Sequence, residues 1–144
     1  MLWYQSVTTY ILVDTSAWVE FDRATGSAVD TRLTALIASS APVAVTEPII
    51  MEVLAGARNS QREYDLRRLL ARFHLLRFDA GIDFDGAVQL YRRCRQQGIT
   101  PRGLIDCLIA SVAMRTGAHL LSFDRDIAAI AKVMHLQLDQ ASLH

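Results

Sequence analysis

The chain has 144 residues, 51% of them hydrophobic and 21% charged, with a formal net charge of zero. That length and composition suit one globular α/β-sized domain over 1–144 with a core of its own and exclude a disordered or low-complexity chain. Its two cysteines, Cys94 and Cys107, form no CxxC pair and no Cys/His cluster, which excludes a disulfide framework and a structural zinc site.

Residues 1–9 match no periodic pattern and read as an N-terminal extension without a functional account. They hold no basic leader, and the apolar run Tyr10 to Val13 stops at Asp14, so no signal peptide or membrane span fits. The expected location is the cytoplasm. Ile11, Leu12 and Val13 form a short, largely β-branched run of the kind buried on both faces of a parallel sheet. Asp14-Thr15-Ser16 then offers a helix N-cap, with a first turn or two from Ala17 to Phe21. Asp30 to Ala38 carries helical spacing at Leu33, Leu36 and Ile37. Val43 to Val45 is a second strand. A helix starts at Thr46-Glu47-Pro48, with proline tolerated in the first turn, and ends at Gly56. Arg62 to His74 is amphipathic. Leu75 to Phe78 is a third strand, Phe84 to Gln97 a helix closed by Gly98, and Leu104 to Thr116 a helix closed by Gly117. His119 to Phe123 is a fourth strand, Asp124 to Met134 a last helix, and Leu136 to Leu138 a short edge strand. This alternation predicts a three-layer α/β sandwich, with a parallel sheet of four or five strands and helices on both faces.

Fourteen of the fifteen basic residues are arginine, with clusters at Arg67, Arg68, Arg72, Arg77 and at Arg92, Arg93, Arg95. Guanidinium forks suit phosphate, although such runs are more often solvated helix faces. Four acids carry more information. Asp14 follows the first strand and Asp124 the fourth, and in open α/β sheets the ligand crevice lies at the carboxyl ends of the strands. Either could instead serve only as an N-cap. Asp106 lies in the run Leu104 to Met114, apolar on nearly every face, and its one local counter-charge is Arg102 at i−4. Glu52 is the sole charge between Pro48 and Ala55, with no opposite charge one turn away. A carboxylate in such surroundings loses hydration at a cost of several kcal/mol unless something compensates it. Four converging acids repel one another unless protonated or neutralised by a cation. An all-oxygen donor set selects a hard ion, Mg²⁺ or Mn²⁺, whose chemistry suits phosphodiester hydrolysis by water.

Four segments together resemble the signatures of PIN-domain toxins of the VapC type. They are Val13 to Ser16, then Thr46 to Glu52 with Gly56, then Ile105 to Ala110, then Leu121 to Asp126, in the family's order and spacing. The resemblance covers the chain from Tyr10 onwards. It implies Asp14, Glu52, Asp106 and Asp124 as the catalytic, metal-binding acids, with Asp126 as an additional metal-binding member. It implies Thr15, Ser16 and Ser122 as hydroxyls that hold a carboxylate or a metal-bound water. It further implies a Mg²⁺- or Mn²⁺-dependent endoribonuclease acting on a structured RNA such as a tRNA or a ribosomal loop. The expected division of labour places Asp14, Glu52 and Asp106 on one ion, with Asp124 orienting a water or helping to hold a second. A homodimer and a VapB-like antitoxin whose C-terminal segment covers the active-site groove are also implied. Arg102 is the candidate for positioning RNA at the rim. Two departures are mild: Ile127 stands where an aromatic is usual, and Ser122 where threonine is common. They leave open whether Asp124 or Asp126 is the fourth acid.

Other classes fail on named residues. A haloacid-dehalogenase-type phosphatase needs a second aspartate where Ser16 stands, and a receiver domain needs a late-strand lysine, whereas the one lysine is Lys132 in a predicted helix. No GxSxG elbow or Cys/His pairing supports a serine or cysteine hydrolase. The remaining alternative is a non-catalytic PIN-fold module kept for protein binding, against which the retention of four costly acids argues.

Overall fold

In the computed structural model, residues 7–144 are described. The expected extension over 1–9 therefore lies outside the described residues as far as position 6; residues 7–9 are exposed and without regular structure. Four parallel strands form the sheet: β1 (Ile11–Val13), β2 (Val43–Val45), β3 (His74–Leu75) and β4 (His119–Leu121), in the spatial order β3-β2-β1-β4. Every residue of β1 and β2 is buried, as expected of apolar, β-branched runs covered on both faces. Around the sheet lie α1 (Thr15–Asp22), α2 (Ala28–Ala38), α3 (Glu47–Ala55), α4 (Ser60–Leu70), α5 (Ala80–Gln96), α6 (Leu104–Thr116) and α7 (Arg125–Val133). This is the α/β sandwich anticipated from the alternation of elements. The fifth strand reduces to a single parallel bridge between Leu138 and Leu120. None of the described helices is long and apolar enough to cross a membrane.

The strand order locates the crevice. From β1 the chain moves to β2 and then β3 on one side, whereas β4 pairs with the other side of β1, so the winding reverses between β1 and β4. Val13 faces Leu121 in register, and Asp14 N–H donates to Leu121 O at 2.9 Å. The residues leaving the carboxyl ends of these two strands thus share the switch point, where such sheets bind ligands.

Several boundaries differ from the expected ones for local reasons. The third strand is not Leu75 to Phe78. Pairing with β2 ends at Leu76, whose N–H donates to Val45 O, and Phe78 N–H turns away to Glu47 Oε1. α4 starts earlier than Arg62 because Asn59 caps it, accepting from Arg62 N–H at 2.8 Å. α5 starts at Ala80 rather than Phe84 because Asp79 accepts from Gly81 N–H. α6 has the expected bounds, and Gly117 ends it in a left-handed conformation (φ 70°) that side chains with a Cβ adopt at a cost.

An ion pair between a buried carboxylate and a part-exposed arginine joins α5 to α6. Asp83 is fully buried and accepts from Arg115 Nε at 3.0 Å and Nη2 at 2.8 Å, from Ser111 Oγ at 3.0 Å and from Asp79 N–H at 2.8 Å. Burial pulls its carboxyl upward. The bonds from Arg115, Asp79 and Ser111 outweigh burial and hold it below the usual carboxylate range. The helices meet closely here, since a Cβ on Gly86 would lie 2.4 Å from Ser111 Oγ.

Candidate functional site

Asp14 is the first residue beyond β1 and is buried at 2% exposure. It occupies the N-cap position of α1, but its side chain makes no capping bond. Instead its Oδ2 accepts from Ser16 Oγ at 2.8 Å and from Ser122 Oγ at 2.9 Å. Its Oδ1 is buried and has no hydrogen-bond partner among the described residues. A buried carboxylate oxygen left without a partner is costly and calls for a ligand beyond the described residues. Burial pushes the Asp14 carboxyl up to about 6, against the hydrogen bonds from the two serines, with the Asp124 charge adding to the rise.

Glu52 reaches the same region from α3 and is tied to α1 by Thr15 Oγ1, which donates to Glu52 Oε1 at 2.7 Å. Asp106, in the first turn of α6, is half-buried. Its carboxyl is pushed up to about 7, first by burial and then by the charges of Asp14, Asp124, Glu52 and Asp126. The local alternative for Asp106, an ion pair with Arg102, does not form. Arg102 precedes α6 rather than lying on it, and both its backbone N–H and its Nε donate to Asp126 Oδ2 at 3.0 Å. Asp124 caps α7, accepting from Asp126 N–H at 2.6 Å, and so serves the helix and the cluster together.

The expected grouping of Asp14, Glu52 and Asp106 around one ion is not the tightest one. Among the described residues that is Asp106, Asp124 and Asp126, whose ligand oxygens lie within 4.8 Å of one another, a spacing that can take one cation. Asp14 and Glu52 adjoin this trio, close enough to raise the Asp106 carboxyl. Thr15, Ser16 and Ser122 each donate to one of the acids; Ser16 also accepts from Phe123 N–H and Ser122 from Asp124 N–H. The hydroxyls thus link the two strand ends. All donors are oxygens and Asp14 Oδ1 is an unpartnered anionic oxygen, so the residues present fit a hard divalent ion.

Beside Glu52 a cavity of about 540 Å³ runs between α1, α3 and α4, with Trp18, Val53 and Leu66 in its wall and Arg23, Arg58 and Arg62 around it. Of these arginines, Arg62 pairs with Asp22 across the cavity. Clustering along the sequence does not reveal Arg23 and Arg58, which stand alone in the chain and meet only in the fold. The clusters it does mark include plain helix-face contacts: Arg67 pairs with Glu63 at 2.6 Å, and Arg68 lies over the Tyr64 ring.

The raised acids give a pH dependence of definite sign. Folded Asp14 and Asp106 hold protons more tightly than the unfolded chain, so above about pH 4 the folded state binds more protons and stability falls as pH rises through their folded values. In EDTA the protein should lose about 3 kcal/mol between pH 5.5 and pH 8, a drop of about 5–10 °C in melting temperature. A melting temperature that climbs over this interval in scanning calorimetry would contradict the repulsion among these carboxylates.

A PIN-domain family model matches residues 11–133. Ribonuclease VapC11 of Mycobacterium tuberculosis is 43% identical over 128 residues, covering 88% of this chain and 96% of that protein. VapC ribonuclease Mb1587 of Mycobacterium bovis matches to the same extent. Among solved structures, VapBC2 from Rickettsia felis, bound to a DNA fragment from its promoter, superposes with a TM-score of 0.72 at 20% identity, over 91% of this chain and 98% of that one. VapC20 of Mycobacterium tuberculosis, a Sarcin-Ricin loop cleaving toxin, gives 0.63 at 21% identity, over 88% and 98%. At these identities the structural matches speak for the fold.

Proposed function

The chain belongs to the PIN-domain family, within its VapC-type toxin–antitoxin ribonucleases, and from that starting point we propose that it is a Mg²⁺- or Mn²⁺-dependent endoribonuclease, the toxin of a VapBC-type pair. The observation that carries the reading is the carboxylate trio Asp106, Asp124 and Asp126 beside an Asp14 oxygen that has no partner among the described residues. Asp14, Glu52, Asp106, Asp124 and Asp126 would hold the ion. When bound, the ion supplies charge stabilisation for the scissile phosphate and lowers the pKa of water.

The remaining parts follow from this chain's own side chains. Ser16 and Ser122 grip one oxygen of Asp14 and leave the other directed away from them. Thr15 fixes Glu52 in the same way. Arg102, its side chain 77% exposed beside Asp126, stands at the rim as a phosphate-positioning group. The substrate class is a structured RNA loop, in keeping with the loop-cleaving activity of the structurally similar VapC20. A VapB-like antitoxin, in keeping with the toxin–antitoxin complexes among the structural relatives, and a homodimer complete the proposal.

The test is cleavage of total RNA by the purified protein with Mg²⁺, with EDTA, and by the Asp14→Asn variant. Discrete fragments bearing 5′-phosphate and 3′-hydroxyl ends, lost in both controls, are expected from attack by water. A 2′,3′-cyclic phosphate end would mean attack by the ribose hydroxyl and would overturn the mechanism.

A further inference from the structure

We propose that Ser142, in the C-terminal tail, is a positioning residue for the Asp14 carboxylate, acting through Ser122; the proposal rests on the metal-dependent reading above. β4 ends at Leu121, so Ser122 lies beyond the last ladder pair, yet it is fully buried and its backbone must be satisfied locally. The tail does this on both sides of the residue. Ser142 Oγ accepts from Ser122 N–H at 3.1 Å and donates to Leu120 O at 3.0 Å, and Leu143 N–H donates to Ser122 O at 2.9 Å. With its backbone clamped in this way, Ser122 aims its hydroxyl at Asp14 Oδ2 and accepts from Asp124 N–H. One serine thereby connects the tail to two of the site acids.

The tail is itself held by α2. Asp139, 5% exposed, takes a two-pronged contact from Arg32 of α2, at 3.2 Å from Nε and 3.1 Å from Nη2, and Asp139 Oδ1 accepts from Ala141 N–H. Asp139 N–H in turn donates to Leu120 O. Ser142 lies outside the 11–133 span matched by the family model, so the matched region ends before the residue that completes the hydrogen bonding of Ser122. The Ser142 hydroxyl bonds to backbone groups rather than to a site acid; its action is to fix the direction of a hydroxyl that does reach one. Support of this kind behind a metal-binding carboxylate is worth on the order of tenfold in metal affinity or activity.

Ser142→Thr and Ser142→Val test the idea, because the two side chains have nearly the same volume and only one keeps the hydroxyl. Each is assayed at a temperature where its own melting curve shows it folded. Calorimetric Mg²⁺ titration and steady-state RNA cleavage are the readouts. Ser142→Thr should stay within about twofold of the unaltered protein, while Ser142→Val loses about tenfold in both Mg²⁺ affinity and kcat with KM for RNA unchanged. Equal values for the two variants, whatever their melting temperatures, would overturn the proposal and leave the tail a purely structural strap. If the unaltered protein bound no Mg²⁺, or bound it as well as Asp14→Asn does, the metal-centre reading would fail and the proposal with it.

Discussion

Asp106→Asn is expected to make the metal-free protein more stable while removing about 10³-fold of its RNA cleavage. The two effects share one cause. The Asp106 carboxyl is pushed up to about 7 by burial and by four neighbouring carboxylates, so at pH 8 the folded chain carries a charge there that it would rather lose. A neutral amide of similar shape relieves that repulsion. After allowance for partial exposure the gain is about 2 kcal/mol, or about 6 °C in melting temperature for a chain of this size. The same change deletes a donor from the trio that can take a cation, whose charge stabilisation is worth several kcal/mol in a hydrolytic transition state. Saturating Mg²⁺ should reverse the order of melting temperatures by stabilising the unaltered protein more than the variant. A variant that melts lower in EDTA at pH 8 would show that Asp106 contributes structure rather than strain.

Asp83→Ala should be the most damaging single change to stability away from the site, at about 3–5 kcal/mol in urea unfolding. Asp83 is fully buried and accepts from three groups, Arg115 among them; its removal leaves the buried Ser111 hydroxyl without its acceptor and the part-exposed Arg115 without its counter-charge. Removing both charged partners is a different matter. Asp83→Leu combined with Arg115→Met should recover most of the loss, because a buried pair replaced by apolar groups is often close to neutral. Glu63→Ala, which breaks the exposed pair with Arg67, should cost no more than about 0.5 kcal/mol. If Asp83→Ala cost no more than Glu63→Ala, the α5–α6 ion pair would be decoration.

The sheet and the acid cluster are legible in the sequence because both rest on local patterns with a strong physical cause. Ile11 to Val13 reads as a two-sided strand from composition alone, and an acid directly after such a strand has few places to point. Asp106 and Glu52 stand out as the single charges in the apolar runs Leu104 to Met114 and Pro48 to Ala55. What escapes depends on partners far apart in the chain. Nothing local to Arg102 says that it will pair with Asp126 rather than Asp106; that follows from where α6 starts. Asp83 reads as one more polar residue near a helix start, and its burial is set by Arg115, 32 positions away. The third strand is displaced by a residue or more from its expected place because Leu75 to Phe78 is as apolar as a strand, whereas its pairing is decided by Val45 and its exit by Glu47. The tail around Ser142 has no periodicity, so its role becomes visible only beside β4.

Because Ser122 is 108 positions from the Asp14 it grips, no early part of the chain contains a working site. During synthesis α1, α2 and β2 can form behind the ribosome, but the acids of α6 and α7 arrive only after α5. At translation rates of about 5–20 residues per second the interval between Asp14 and Ser142 lasts roughly 6–26 s. Until Asp126 is added the growing polypeptide has no complete charge cluster. The site acids therefore come together only when β4 closes against β1.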